Sequence, residues 1–139
     1  MSGYIGEAET IRGWFLTEWD SGVPIHIYEN TKFTDKPDDA IWARLRVLSR
    51  DAYPAAIGGP TIRYRHDGDI ILEIFAPESI GDGAARALAD TACAIIRGRE
   101  DGGIVVWTAR AIPLGVRDGW YRINVIGSFS RDEDFALQS

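Results

Sequence analysis

The first apolar stripe along the chain recurs at helical spacing. Residues 6 to 20 carry Ile11, Trp14, Phe15 and Leu16 with Trp19 on one broad face, while Glu7, Glu9 and Arg12 fall elsewhere. Ser21-Gly22 ends this predicted helix, and Pro24 prevents its resumption. The period then changes to two. PIHIYEN predicts a short strand, with Ile25 and Ile27 on one side and His26 and Tyr28 on the other. A polar loop, Asn30 to Asp39, follows as solvated chain. AIWARLRVLSR alternates cleanly, with Ile41, Ala43, Leu45 and Val47 opposite Trp42, Arg44 and Arg46.

Asp51 to Pro60, DAYPAAIGGP, breaks the alternation and reads as a flexible arm or long loop between two strands. Its Tyr53, Pro54 and Ile57 suit a partner better than a lone loop. Residues 61 to 76 read as a strand pair or one kinked strand. Ile62 and Tyr64 alternate with Arg63 and Arg65, His66-Asp67-Gly68-Asp69 interrupts, and Ile70, Leu72 and Ile74 alternate with Ile71, Glu73 and Phe75. The second half is apolar on both sides, which predicts a central, covered strand.

Residues 79 to 97 predict a second helix, with Ala85, Leu88, Ala92 and Ile95 on one face, Ile96 beside them and Gly98 as the stop. Two strands follow. In GGIVVWTARAI, Ile104 and Val106 oppose Val105 and Trp107. In DGWYRINVIGSF, Tyr121, Ile123, Val125 and Phe129 oppose Trp120, Arg122, Asn124 and Ser128. The acidic tail, residues 130–139, is expected to be mobile at its end. The order α-β-β-β-α-β-β predicts an α+β fold: a largely antiparallel or mixed β-sheet with two α-helices packed on one face.

At 139 residues the chain suits a single domain, 1–139. A formal charge of −6 opposes general affinity for nucleic acid or an anionic membrane. One cysteine, Cys93, allows no internal disulfide and reads as a small core residue. The N-terminus has no apolar signal-peptide core, and no apolar run approaches the roughly 20 residues of a membrane span. The expectation is a soluble protein made in a reducing cytoplasm.

FAPESIGDGAARALADTACAII, residues 75 to 96, has the strand–glycine–helix form of a phosphate cradle. Gly81-x-Gly83-x-x-Arg86 comes close to the dinucleotide fingerprint. Arg86 replaces the third glycine, however, and four residues separate strand from first glycine. Glu78 and Asp82 place negative charge where a pyrophosphate would sit. Ser79 or Asp82 as helix cap accounts for the same residues. His26 and His66 lack metal-ligand spacing. His66-x-x-Asp69 could orient an imidazole, but Asp67-Gly68 reads as a turn. Gly127-Ser128-Phe129 lacks the glycine of a nucleophile elbow. No catalytic, cofactor or metal residue is assigned, and no cofactor is expected.

Arg44, Arg46, Arg63, Arg65, Arg110 and Arg122 share the predicted non-core face with Trp42, Glu73 and Asn124. Such a face is a solvated surface, a nucleic-acid platform or, best suited by the Trp/Arg/Tyr mixture, a protein interface. Several pieces fall in a recognisable order: Glu29-Asn30 and Phe33 after the first strand, the IFAPES-G-GAA-ALAD junction, and the closing DGWYRINV strand. Together they span nearly the whole chain to about Phe129. In this order the chain resembles the tail-terminator family of long-tailed bacteriophages, the minor tail protein U-like group.

The resemblance implies a non-enzymatic virion protein at the head-proximal end of the tail, present in the host cytoplasm during assembly. It implies a homohexameric ring that caps the tail tube, stops its polymerisation and receives the head. Its partners would be itself, the tail tube protein and a connector or neck protein, with DNA only as cargo through the lumen. The arginines and the acidic tail depart from the family, which leaves open which surface meets which neighbour. The candidate interface comprises Trp42, Arg44, Arg46, Tyr53, Ile57, Arg63, Arg65, Trp107, Trp120 and Arg122. Alternatives are a head–tail connector, a small enzyme using His66 and Asp69, and a nucleic-acid-binding module using the arginine face.

Overall fold

Alternation of apolar and polar residues extends further in three dimensions than in the chain's own pattern. The computed structural model describes residues 3–34 and 36–136. Helix α1 spans Gly3–Glu18, followed by strands β1 (Ile25–His26), β2 (Trp42–Gly58) and β3 (Thr61–Pro77). Helix α2 (Gly83–Ile96) leads to β4 (Glu100–Asp101), β5 (Ile104–Arg117) and β6 (Trp120–Ala136). The sheet order is β1-β2-β3-β6-β5-β4, with β1 parallel to β2 and every other pair antiparallel. This is the α+β arrangement expected, with β3 at its centre and both helices on one face. The two-residue β4 is an addition to the expected order.

The core lies between that face and the helices. Ile11, Trp14 and Phe15 of α1 and Ala85, Leu88, Ala92, Ile95 and Ile96 of α2 are buried. They meet Ala43 and Leu45, Ile70, Leu72 and Ile74, Ile104 and Val106, and Ile123, Val125 and Phe129. Each sheet set has period two, so every member points the same way. Cys93 is buried with them, and burial pushes its thiol pKa up.

Several expectations are corrected. Leu16 is off the α1 stripe and exposed, whereas Glu7 is buried. Helix α2 begins at Gly83, not at residue 79. Ser79 sits in the left-handed region at φ 78°. Asp82 is the N-cap residue, but its carboxylate accepts from Arg86 Nε at 2.6 Å instead of capping a backbone N–H. The strand expected over PIHIYEN is only two residues long, Ile25–His26, and Ile27 is buried just beyond it.

Residues 66–69 do not interrupt β3. His66 and Gly68 face the helix side, and Asp67 and Asp69 face away. Glycine is required at 68 by a close approach, not by a turn. A Cβ there would lie 2.5 Å from the Leu48 carbonyl oxygen and 2.6 Å from Phe129 Cε1.

The segment 51–60, expected as an arm or loop, is a β-hairpin. β2 continues to Gly58 and β3 starts at Thr61. Register shifts between Ser49 and Ala52 and between Pro54 and Ala56 swap faces twice, which hides the period in the sequence. The acidic tail is likewise strand as far as Ala136, paired with β3. Its expected mobile end, 137–139, lies outside the described residues. Ala52–Gly58, Thr61–His66 and Arg131–Ala136 thus form a three-stranded blade that runs past the start of β5 at Ile104.

Candidate functional site

The arginines do share the non-helix face of the sheet, in rows fixed by the register. Arg44 lies beside Glu73 and Asn124, Arg46 in the row of Ile71, Ile126 and Arg110, and Arg122 opposite Phe75. On the blade, Arg65 lies beside Tyr53 and Asp132, and Arg63 beside Ala56 and Asp134.

Much of the positive charge is matched within the chain. Arg44 donates from Nε and Nη2 to the two Glu73 carboxylate oxygens at 2.9 and 3.1 Å. Arg65 grips Asp132 at 2.9 and 3.1 Å, and Arg63 grips Asp134 at 2.9 and 3.4 Å. Arg50 lies 3.0 Å from Asp69. The hydrogen bonds from these guanidinium groups hold the Asp132 and Asp134 carboxyls below the ordinary range. Half of the basic stripe of the sequence, Arg44, Arg63 and Arg65, is therefore a ladder of ion pairs, and the acidic tail supplies the acid of both pairs on the blade. Exposed pairs of this kind contribute about 0–1 kcal/mol each, so they set register and neutrality more than stability. Among the described residues, Arg46, Arg110 and Arg122 have no acidic partner within 4.0 Å.

Trp42 is not available as an exposed anchor. It is 5% exposed, its ring stacks on Phe75 at 4.1 Å, and Trp120 meets it edge-on at 6.1 Å. The loop expected to be solvated chain supplies its cover: Phe33 lies 5.8 Å from the Trp42 ring and Lys36 Nζ 5.0 Å over it. Phe33 in turn stacks on His26 at 4.9 Å. These aromatic groups make a second, small core on the non-helix face, and Trp120 remains half-buried at its margin.

Trp107 is different. It is 68% exposed, and its indole N–H donates to Ser130 Oγ at 2.8 Å. A register shift between Val106 and Thr108 carries it out of the strand's alternation. On the blade, Ile57 is 74% and Phe135 47% exposed. Tyr53 lies by Asp67, whose hydrogen bond raises the phenol pKa. Ala52, Tyr64, His66 and Phe135 line a shallow apolar recess of about 360 Å³ on the blade's helix-side face.

His66 and Asp69 do not form the pair considered from the sequence. They lie on opposite faces of β3, and Asp69 faces Arg50 and Ser128. The His66 ring is buried edge-on to Tyr4 at 5.5 Å, with no hydrogen-bond partner on either nitrogen among the described residues. Burial, reinforced by Arg131, lowers its pKa. No group of three or more potential metal ligands occurs among the described residues, and no helix among them is long and apolar enough to cross a membrane.

Nothing in the pattern of residues along the chain marked the buried cluster at the blade's root. Glu7 of α1 accepts from Arg131 Nε at 2.7 Å, with the two side chains 1% and 6% exposed. Glu133 pairs with the same guanidinium, and Ser49 Oγ donates to Glu7. The cluster ties the first turns of α1 to β2 and β6.

No family model matches the chain, and no curated protein matches it. Ten solved chains match. One of them aligns over 96% of this chain and 96% of its own length, with a TM-score of 0.61 and 19% identity. Its designation names no function, and a likeness at that identity shows the fold alone.

Proposed function

We propose that the protein is a virion assembly component, a tail terminator whose copies form a ring on the head-proximal end of a phage tail tube. The observation that supports this best is the blade, a paired β extension that leaves Ile57 and Phe135 exposed on its helix-side face beyond the helices. A surface of that kind works by being covered. Its other face is neutralised by Arg63–Asp134 and Arg65–Asp132, so it can approach an acidic neighbour without strong repulsion. In this role one face of the ring mimics the next tube layer and the other does not. Growth stops by shape, and the ring offers a docking surface to the head.

The test is electron microscopy of purified tail tubes mixed with the protein. A ring at one tube end, and tubes of normal length only when the protein is supplied during growth, is the expected result. Tubes that end bare and keep elongating would remove the proposal. The same images separate the nearest alternative, a head–tail connector, which binds the portal side and leaves tube ends unoccupied.

A further inference from the structure

Two uncharged stretches lie exposed at the ends of the long outer strands, in a chain that is 26% charged. The first is the blade hairpin, Tyr53–Ile62, ten residues without a charge and exposed throughout except at Ile62. The second is Ala111–Val116 on β5, where Leu114 is 45% and Val116 56% exposed. The sheet register sets them at diagonally opposite corners. β2 and β5 are the long outer strands, flanked among the described residues by the two-residue β1 and β4. Tyr53–Gly58 lies at the end where β3 begins and β6 stops. Ala111–Val116 lies at the other end, alongside the Tyr121–Val125 part of β6.

Each corner also carries a proline beside a register shift, Pro54/Ala56 and Pro113/Gly115. Proline and bulges discourage the addition of a foreign strand to an edge. What the corners offer is side-chain packing.

We infer that copies of this chain associate head to tail, the blade corner around Ile57 of one copy packing on the Leu114–Val116 corner of the next. Each copy carries a net charge of −6, so close approach is least opposed where both surfaces are uncharged. A two-fold contact of blade against blade would cover one corner and leave the other bare. A head-to-tail contact covers both at once, and it closes into a ring when its rotation fits. The inference rests on the ring proposed above and names the surfaces that would build it. Its exposed aromatic and aliphatic groups amount to a few hundred Å² at roughly 150–250 Å² per fully covered aromatic side chain. That is below the roughly 800 Å² per partner of a standard interface. Two free copies therefore bind weakly, and the contact is reinforced when a ring closes on a template.

The experiment uses two full-length proteins, Ile57→Cys and Leu114→Cys, both positions being exposed and circular dichroism confirming the fold. Each is oxidised alone and in equal mixture with copper–phenanthroline at high protein concentration. Cys93 is buried, and the unsubstituted protein controls for it. The expected result is a band at twice the 15.4 kDa monomer in the mixture, well above that in either protein alone. No band in the mixture, or an equally strong band from Ile57→Cys alone, overturns the inference. A mixed band from a protein that never caps tubes sinks the proposed function and keeps the corners. Capping of tubes without a mixed band does the reverse.

Discussion

Replacing Glu7 by alanine tests how the blade is anchored to the helical layer. The change leaves the Arg131 guanidinium, itself 6% exposed, without the carboxylate that accepts from its Nε at 2.7 Å. Removing one partner of a buried pair typically costs about 3–5 kcal/mol, because the remaining charge stays desolvated. Glu133 still pairs with the same guanidinium and is partly open to water, which places the expected cost near the lower end of that range, about 3 kcal/mol. For a chain of this size that is a fall in Tm on the order of 10 °C. Urea unfolding followed by tryptophan fluorescence reads the change through the midpoint at constant slope. Replacing both residues, Glu7→Met with Arg131→Met, should recover most of the loss, since buried pairs exchange for apolar groups of similar volume at little cost. A cost below about 1 kcal/mol for the single change would refute the reasoning. So would a double variant as destabilised as the two singles combined.

The tryptophans should separate by role. Trp42→Ala is expected to cost about 3–5 kcal/mol in chemical denaturation through loss of its stack with Phe75, whereas Trp107→Ala should cost less than about 1 kcal/mol, and equal losses would contradict the burial assigned to them. His66 predicts a pH effect. Burial lowers its folded pKa below the unfolded value near 6.5, with Arg131 adding to the shift and Glu7, Asp67 and Asp132 opposing it. The unfolded chain therefore binds more protons, so stability is full above about pH 6.5 and is lost as pH falls through the lowered folded value. Denaturation midpoints of the protein and of His66→Gln between pH 7 and 5 should diverge in that sense, and parallel curves would dispose of it.

What was legible in the sequence is what one strand or helix decides alone. The α2 stripe and the Ile70–Ile74 alternation follow from a continuous core face, and the structure places both as expected. The shared arginine face was legible too, because parity along β2, β3 and β6 fixes it. The hairpin at 51–60 was not, since two bulges change the parity within ten residues and Ala, Pro and Gly give little period to follow. Asp67-Gly68 looked like a turn, although its glycine is required by Phe129, a residue 61 positions further along the chain. Trp42 was placed on the correct face with the wrong exposure, because its cover, Phe33 and Lys36, comes from a loop whose composition reads as solvated. Glu7 and Arg131 are separated by 124 residues, and nothing local marks either as buried. Gly68, Glu7 and Arg131 share one cause, a close or buried contact with a partner distant in sequence.

The blade's two faces differ in a way that bears on what it is for. Its non-helix face is neutralised by two arginines paired with two aspartates, Arg65 on Asp132 and Arg63 on Asp134. Its helix-side face continues the core's own rows outward, from Gly68 to His66, Tyr64 and Ile62 and from Phe129 to Arg131, Glu133 and Phe135. Helix α1 reaches those rows as far as Tyr4 over His66 and Gly3, whose N–H donates to the Glu133 carboxylate at 3.2 Å. A strand extension with no assembly role would be expected to turn polar on both sides once the helices stop, as edge and exposed strands commonly do. Here, beyond the charged Arg131 and Glu133, an apolar rung persists past the last helical contact, with Ile57, Ile62 and Phe135 side by side. That persistence favours a blade that is completed by another molecule, and it makes the rung at Ile57 the place where a single aspartate should weaken assembly while leaving the fold intact.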